Sequence, residues 1–156
     1  MKTITLKTPL GMANIIGDEL GVSEISIVDS GEITTEIPDE LLEAATQLRD
    51  YFDGKRTLFT FKINPKGTAF QQKVWSKLLE IPFGTTISYL ELSKKIGDVK
   101  AIRAVAAANG KNPLWIVVPC HRVIGSDGSL TGYAGGLWRK KWLLEHENPS
   151  EQQSLF

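Results

Sequence analysis

Apolar and polar positions alternate through the first third of the chain and then recur at helical spacing. Residues 3–7 alternate weakly, Pro9-Leu10-Gly11 reads as a turn, and residues 12–16 and 22–28 are β-like, with Ile25 and Ile27 alternating. Pro38-Asp39-Glu40 then predicts a helix start. Proline suits the first turn, and acids there complement the partial positive charge of the helix N-terminus. Leu41, Leu42, Ala45, Leu48 and Phe52 give that helix an apolar face, and Gly54 ends it. Residues 58–63 alternate again and predict a fourth strand.

Asn64-Pro65-Lys66-Gly67 has the composition of a linker. Beyond it the pattern becomes helical. Thr68 and Gln71 form a capping-box pair ahead of Phe70, Val74, Leu78 and Leu79, and Ile81-Pro82-Phe83-Gly84 breaks that helix. Thr86 or Ser88 caps a short helix carrying Tyr89, Leu90, Leu92 and Ile96. Gly97-Asp98 turns the chain, and residues 100–108 form the next helix. Helix, glycine-containing turn, helix is the helix-turn-helix pattern. Asn109-Gly110-Lys111-Asn112-Pro113 ends it, and residues 114–118 predict a buried strand. Residues 131–136 form a glycine-rich loop, and residues 137–147 a final helix stopped by Asn148-Pro149. The expectation is an α+β protein with a domain over residues 1–65, a second over 66–149 and a flexible tail over 150–156. In the second helix of the turn motif, Ala101, Ala104, Ala106, Ala107 and Ala108 leave a slim surface. Such a helix fits a groove or packs tightly in a core; Arg103 argues against full burial.

A chain of 156 residues can bury a real core. No apolar run approaches bilayer length, and Met1-Lys2-Thr3-Ile4-Thr5 lacks the apolar centre of a signal peptide. One cysteine and two histidines are too few for the usual structural zinc, so no metal and no cofactor are expected. A lone cysteine without export signals fits the cytoplasm. The formal net charge of zero hides an asymmetry: residues 1–65 carry six basic and eleven acidic side chains, residues 66–147 twelve basic and six acidic. Chance partition of surface charge accounts for this, or the second half meets a polyanion.

The chemistry concentrates in Pro119-Cys120-His121-Arg122-Val123, which holds the only cysteine and one of two histidines. A single cysteine cannot form an intramolecular disulfide. Its sulfur is a small core side chain, a nucleophile or a lone ligand.

Val118-Pro119-Cys120-His121-Arg122-Val123 resembles the O6-alkylguanine-DNA alkyltransferases, also called methylated-DNA–protein-cysteine methyltransferases. Arg103-Ala104-Val105, Asn112-Pro113, residues 131–136 and residues 142–147 (Trp-Leu-Leu-Glu-His-Glu) lie at that family's spacing from the cysteine. The resemblance is strong over about residues 68–147. It implies a ribonuclease-H-like N-terminal α/β domain, a C-terminal winged-helix domain, and a one-turnover repair protein whose cysteine takes the alkyl group from O6 of guanine, or O4 of thymine, in duplex DNA.

By the same resemblance Cys120 is the acceptor, His121 its base through a bridging water, and Glu147 the carboxylate that orients the histidine. A base is needed because a free thiol titrates near ~8.5 and the thiolate is the nucleophile. Arg103 is implied as the finger that fills the space left by the flipped base, with Ala104, Ala106 and Ala107 on the surface entering the minor groove. Tyr89 contacts the rotated phosphate and the base edge. The substrate pocket is implied to take Tyr89, Asn112, Val123, Tyr133, Ala134 and Gly135. Trp115 stands where relatives often carry a smaller residue, and is expected at the pocket rim against the alkyl substituent. The tail, Gln152-Gln153-Ser154-Leu155-Phe156, resembles peptides that dock on the bacterial sliding clamp; a frayed end or self-packing is the alternative. The protein is expected to act as a monomer without a membrane. A nonreactive damage-binding relative, a winged-helix regulator and a cysteine hydrolase are the rival readings.

Overall fold

The computed structural model describes residues 1–130, 133 and 135–149. It divides into two compact units: residues 1–66 with 113–115, and residues 67–112 with 116 onward.

In the first unit β1 (Lys2–Thr8), β2 (Gly11–Asp18) and β3 (Gly21–Val28) form an antiparallel meander. Alternation places Ile4 and Leu6 of β1, Ala13 and Ile15 of β2, and Ile25 of β3, opposite Ile15, in the core; Val22, three residues before Ile25, is buried as well. Helix α1 (Asp39–Phe52) covers that face with Leu41, Ala44, Ala45, Leu48 and Tyr51. Leu42, expected on the apolar face, is half exposed.

Residues 58–63 do not form the expected strand. Ile63 makes one isolated parallel bridge to Val22, flanked by the bonds Val22 N–H to Lys62 O and Asn64 N–H to Val22 O. Upstream, the Thr60 N–H donates to the Gln47 side-chain oxygen at 2.8 Å. A side chain on α1 takes the place of a neighbouring strand there. Leu114 makes a similar lone bridge to Ile25, and the Trp115 ring lies 6.1 Å from that of Phe52 within this unit.

In the second unit, α2 (Ala69–Leu78) begins with the complete Thr68–Gln71 capping box and buries Val74, Trp75 and Leu78. Phe70 and Leu79, read as part of that face, are exposed, and Trp75 fills the position instead. Its indole N–H donates to the Ala108 carbonyl at 2.9 Å. Strand β4 (Ile87–Ser88) leads into α3 (Tyr89–Ile96), whose capping box is Ser88 with Glu91. Gly97, at φ 101°, takes the left-handed cap that an L side chain resists. A short 3₁₀ turn, Val99–Ala101, precedes α4 (Ile102–Gly110), completing the helix-turn-helix. β4 pairs in parallel with β5 (Val123–Ile124), and α5 (Leu137–Glu147) closes the described chain with the bounds read from the sequence.

The buried strand expected over residues 114–118 is absent. Only Leu114 bridges; Ile116 has φ 71° and residues 115–117 form a turn. A short apolar run reads the same whether it is buried as a strand or as a turn. No helix among the described residues is long and apolar enough to cross a membrane.

Candidate active site

A single 3₁₀ turn, Cys120–Arg122, carries three buried side chains in succession. Successive residues of such a turn point about 120° apart, so each faces a different neighbour. Cys120 lies beside Asn112 and Lys140, and His121 and Arg122 both reach Glu147 on α5.

Glu147 anchors the network. His121 Nε2 lies 2.7 Å from Glu147 Oε2, while Arg122 donates through Nε to Oε1 at 2.7 Å and through Nη2 to Oε2 at 2.9 Å. The guanidinium uses its fork on the carboxylate, and its Nη1 donates to the Ile81 carbonyl at 2.8 Å. Burial alone would raise the Glu147 pKa. The hydrogen bonds and charges of His121 and Arg122 outweigh it and hold the carboxyl far below the ordinary range.

That charge assigns the histidine tautomer. A carboxylate only accepts, so Nε2 carries the proton and donates it, leaving a lone pair on Nδ1. Nδ1 is buried without a hydrogen-bond partner among the described residues. The lone pair on Nδ1 can accept one more hydrogen bond. Burial lowers the His121 pKa, and Arg122 and Lys140 add to this; the Glu147 contact works against it. Arg122 already balances the Glu147 charge, so the imidazole is neutral at neutral pH.

Burial raises the Cys120 pKa, opposed by a hydrogen bond with Asn112 and by the charge of Lys140. Asn112 also donates from Nδ2 to the Val118 carbonyl at 2.7 Å, and the Cys120 N–H donates to the same carbonyl at 2.8 Å. The resting sulfur is therefore a thiol, and Asn112 and Lys140 offset part of what burial costs its anion.

Lys140 also reaches the site, and sequence reading did not single it out. It is fully buried on α5, with Nζ 6.0 Å from the centroid of the Tyr89 ring. Burial lowers its pKa and Cys120 raises it. A lysine in a basic helix gives no local sign of burial. Its distance of seven residues from Glu147, two turns along one face, is the signal that could have found it. The role of Arg122 was likewise unassigned.

Arg103, Ala104, Ala106 and Ala107 share the exposed face of α4, while Val105, Ala108 and Asn109 are buried behind it. Tyr89 opens α3, and Val123 is fully buried at the start of β5. Tyr133 and Gly135 are half-buried; the Gly136 N–H donates to the Tyr133 carbonyl at 3.0 Å, and Arg139 donates to the Gly135 carbonyl at 3.0 Å. Trp115, expected at a pocket rim, is 6% exposed and packs in the first unit. Ala134 and the tail 152–156 lie outside the described residues. No group of histidine, cysteine and carboxylate side chains suited to a metal occurs among the described residues.

Two family models match the chain in tandem. The ribonuclease-like domain of 6-O-methylguanine DNA methyltransferase covers residues 1–65, and the DNA-binding domain of the same family covers residues 69–149. A methylated-DNA–protein-cysteine methyltransferase of Methanosarcina barkeri is 45% identical over 149 residues, covering 91% of this chain and 94% of the relative. One of Mycolicibacterium paratuberculosis is 43% identical over 156 residues, covering 97% and 94%. Among solved structures, the O6-methylguanine methyltransferase of Mycobacterium tuberculosis superposes with a TM-score of 0.83 at 39% identity, covering 99% of this chain and 98% of that one. The Mycobacterium tuberculosis protein in complex with DNA also gives 0.83, at 41% identity over 97% and 98% of the two chains. With both domains matched in order, the chain belongs to the 6-O-methylguanine DNA methyltransferase family.

Proposed function

We propose that this protein repairs alkylated DNA by direct reversal, moving the methyl or other alkyl group from O6 of guanine, or O4 of thymine, onto Cys120. The observation that carries the reading is the site itself: the only cysteine shares a buried turn with a neutral, carboxylate-oriented histidine and faces a buried lysine.

In the reaction the Cys120 proton passes through a water to His121 Nδ1. The imidazolium that forms is stabilised by Glu147. Lys140 and Asn112 stabilise the thiolate, which attacks the alkyl carbon in line with the C–O6 bond. A carbon–sulfur bond forms, the carbon–oxygen bond breaks, and its electron pair returns to the base, which takes up a proton to become ordinary guanine. Thiolate is a poor leaving group from a thioether and water does not displace it, so the thiol is not recovered and each molecule acts once.

The sulfur is buried, so the damaged nucleotide must leave the duplex stack to meet it. The exposed face of α4 suits a groove: three alanines keep it slim, and Arg103 projects from it to fill the vacated space. Tyr89 turns the phosphate. Tyr133, Gly135, Asn112 and Val123 form the pocket. A reducing cytoplasm keeps the thiol available, and the protein works as a monomer. The tail residues 152–156 dock on the sliding clamp; equal clamp retention with and without them would end that part of the reading.

Intact mass after incubation with a methylated oligonucleotide is the central test. One methyl group gained, mapped to Cys120 and absent in Cys120→Ser, is the expected result. An unchanged mass with excess methylated duplex would reject the function.

A further inference from the structure

Ile116 is the one non-glycine among the described residues with a positive φ, 71°, and its side chain is 1% exposed. The left-handed region brings Cβ against the backbone, and β-branching makes this worse; glycine or asparagine takes that conformation readily. A buried isoleucine there is a local conflict that the surrounding structure must hold in place, and such conflicts gather at functional sites.

Its place in the chain shows what it could serve. Asn112 Nδ2 donates to the Val118 carbonyl at 2.7 Å and closes a loop in which Ile116 sits within the turn. The same carbonyl accepts from the Cys120 N–H at 2.8 Å. The direction taken at Ile116 therefore sets where the Val118 carbonyl lies, and that carbonyl ties the nucleophile's backbone to Asn112.

We propose that Ile116 is a positioning residue for Cys120. Its buried branched side chain pins a left-handed backbone that closes the loop and fixes the sulfur against Asn112 and Lys140. Glycine would adopt the same φ without strain but would not impose it. The inference rests on Cys120 being the acceptor, and its test includes measurements that need no alkylated DNA.

Full-length Ile116→Gly, Ile116→Ala and Ile116→Val are compared by thermal melting, by the pH profile of Cys120 alkylation with iodoacetamide, by duplex affinity, and by single-turnover methyl transfer at saturating duplex. The glycine variant is expected to melt no lower than the alanine variant, reversing the usual order. It should transfer methyl about 10- to 100-fold more slowly, with a shifted thiol profile and unchanged duplex affinity. The valine variant should keep the wild-type rate and profile. An alanine variant that outlasts glycine on heating, or a glycine variant that fails to fold where alanine folds, would overturn the strained backbone. A glycine variant with wild-type rate and profile would overturn positioning, as would a valine variant as slow as glycine. Methyl transfer failing in the wild type while the iodoacetamide profiles still diverge would reject the function and leave the positioning intact.

Discussion

The two units bury polar groups of different kinds. In the first unit the buried polar side chains are Ser23 and Gln47, both neutral. Gln47 donates to Glu43 and Thr60 and accepts from the Thr60 N–H, acting as a bracket between α1 and an irregular segment. In the second unit the buried set includes His121, Arg122, Arg139, Lys140 and Glu147. Burying ionisable groups costs free energy unless they are paired and hydrogen-bonded, so a fold that needs only stability gains little from them. Their concentration around one cysteine marks where chemistry, rather than packing, governs residue choice.

Removing groups from each set tests that contrast. The largest effect is expected from Cys120→Ser, which should abolish alkyl transfer in the mass assay while leaving the melting temperature close to wild type. Glu147→Gln comes next. It leaves Arg122 buried with its charge unbalanced and should cost about 3–5 kcal/mol of stability, measured by denaturant unfolding, as well as slowing transfer. Lys140→Met should slow transfer at neutral pH by about tenfold for each unit the thiol pKa rises. Its rate should recover as pH is raised, and a profile identical to wild type would remove Lys140 from the mechanism.

Acid provides a subtler test. His121 has a folded pKa below its ordinary 6.5, so the unfolded chain binds the proton first. Stability from this group is complete above about pH 6.5 and is lost as pH falls below it. Glu147 acts in the same direction further down, because its carboxyl stays ionised to far lower pH in the fold than in the unfolded chain. Urea midpoints between pH 8 and 5 should fall on the acid side, and His121→Gln should flatten the upper part of that slope. The smallest effect on function is expected in the first unit. Gln47→Ala should cost about 0.5–1.5 kcal/mol for each hydrogen bond lost to Thr60, with the single-turnover rate unchanged. A slowed rate there would break the division of labour between the units.

Much of this was legible along the chain. The capping pairs Thr68–Gln71 and Ser88–Glu91, the left-handed Gly97 and the alternation of the first three strands are local signals, satisfied within a few residues of where they are written. So was the motif around Cys120. The errors share one cause. Residues 58–63 and 114–118 carry strand-like patterns, yet their hydrogen bonds go to a side chain on α1, to single bridges and to a left-handed turn. Period alone does not say what will be available to pair with a segment. Lys140 was missed for the complementary reason, since charge on a helix reads as solvent-facing until something distant covers it.

By itself the sequence determined the family and its candidate groups: one thiol, its histidine neighbour, a distant glutamate at family spacing and a slim alanine helix carrying Arg103. These follow from residue identity and local geometry, which need no partner from elsewhere in the chain. Only tertiary structure decided the ionisation states. Packing α5 against the Cys120 turn brings Lys140, Glu147 and Arg122 together in a medium from which water is largely excluded. There, a few ångströms of placement decide which group holds the proton, because charge interactions at short range are weakly screened.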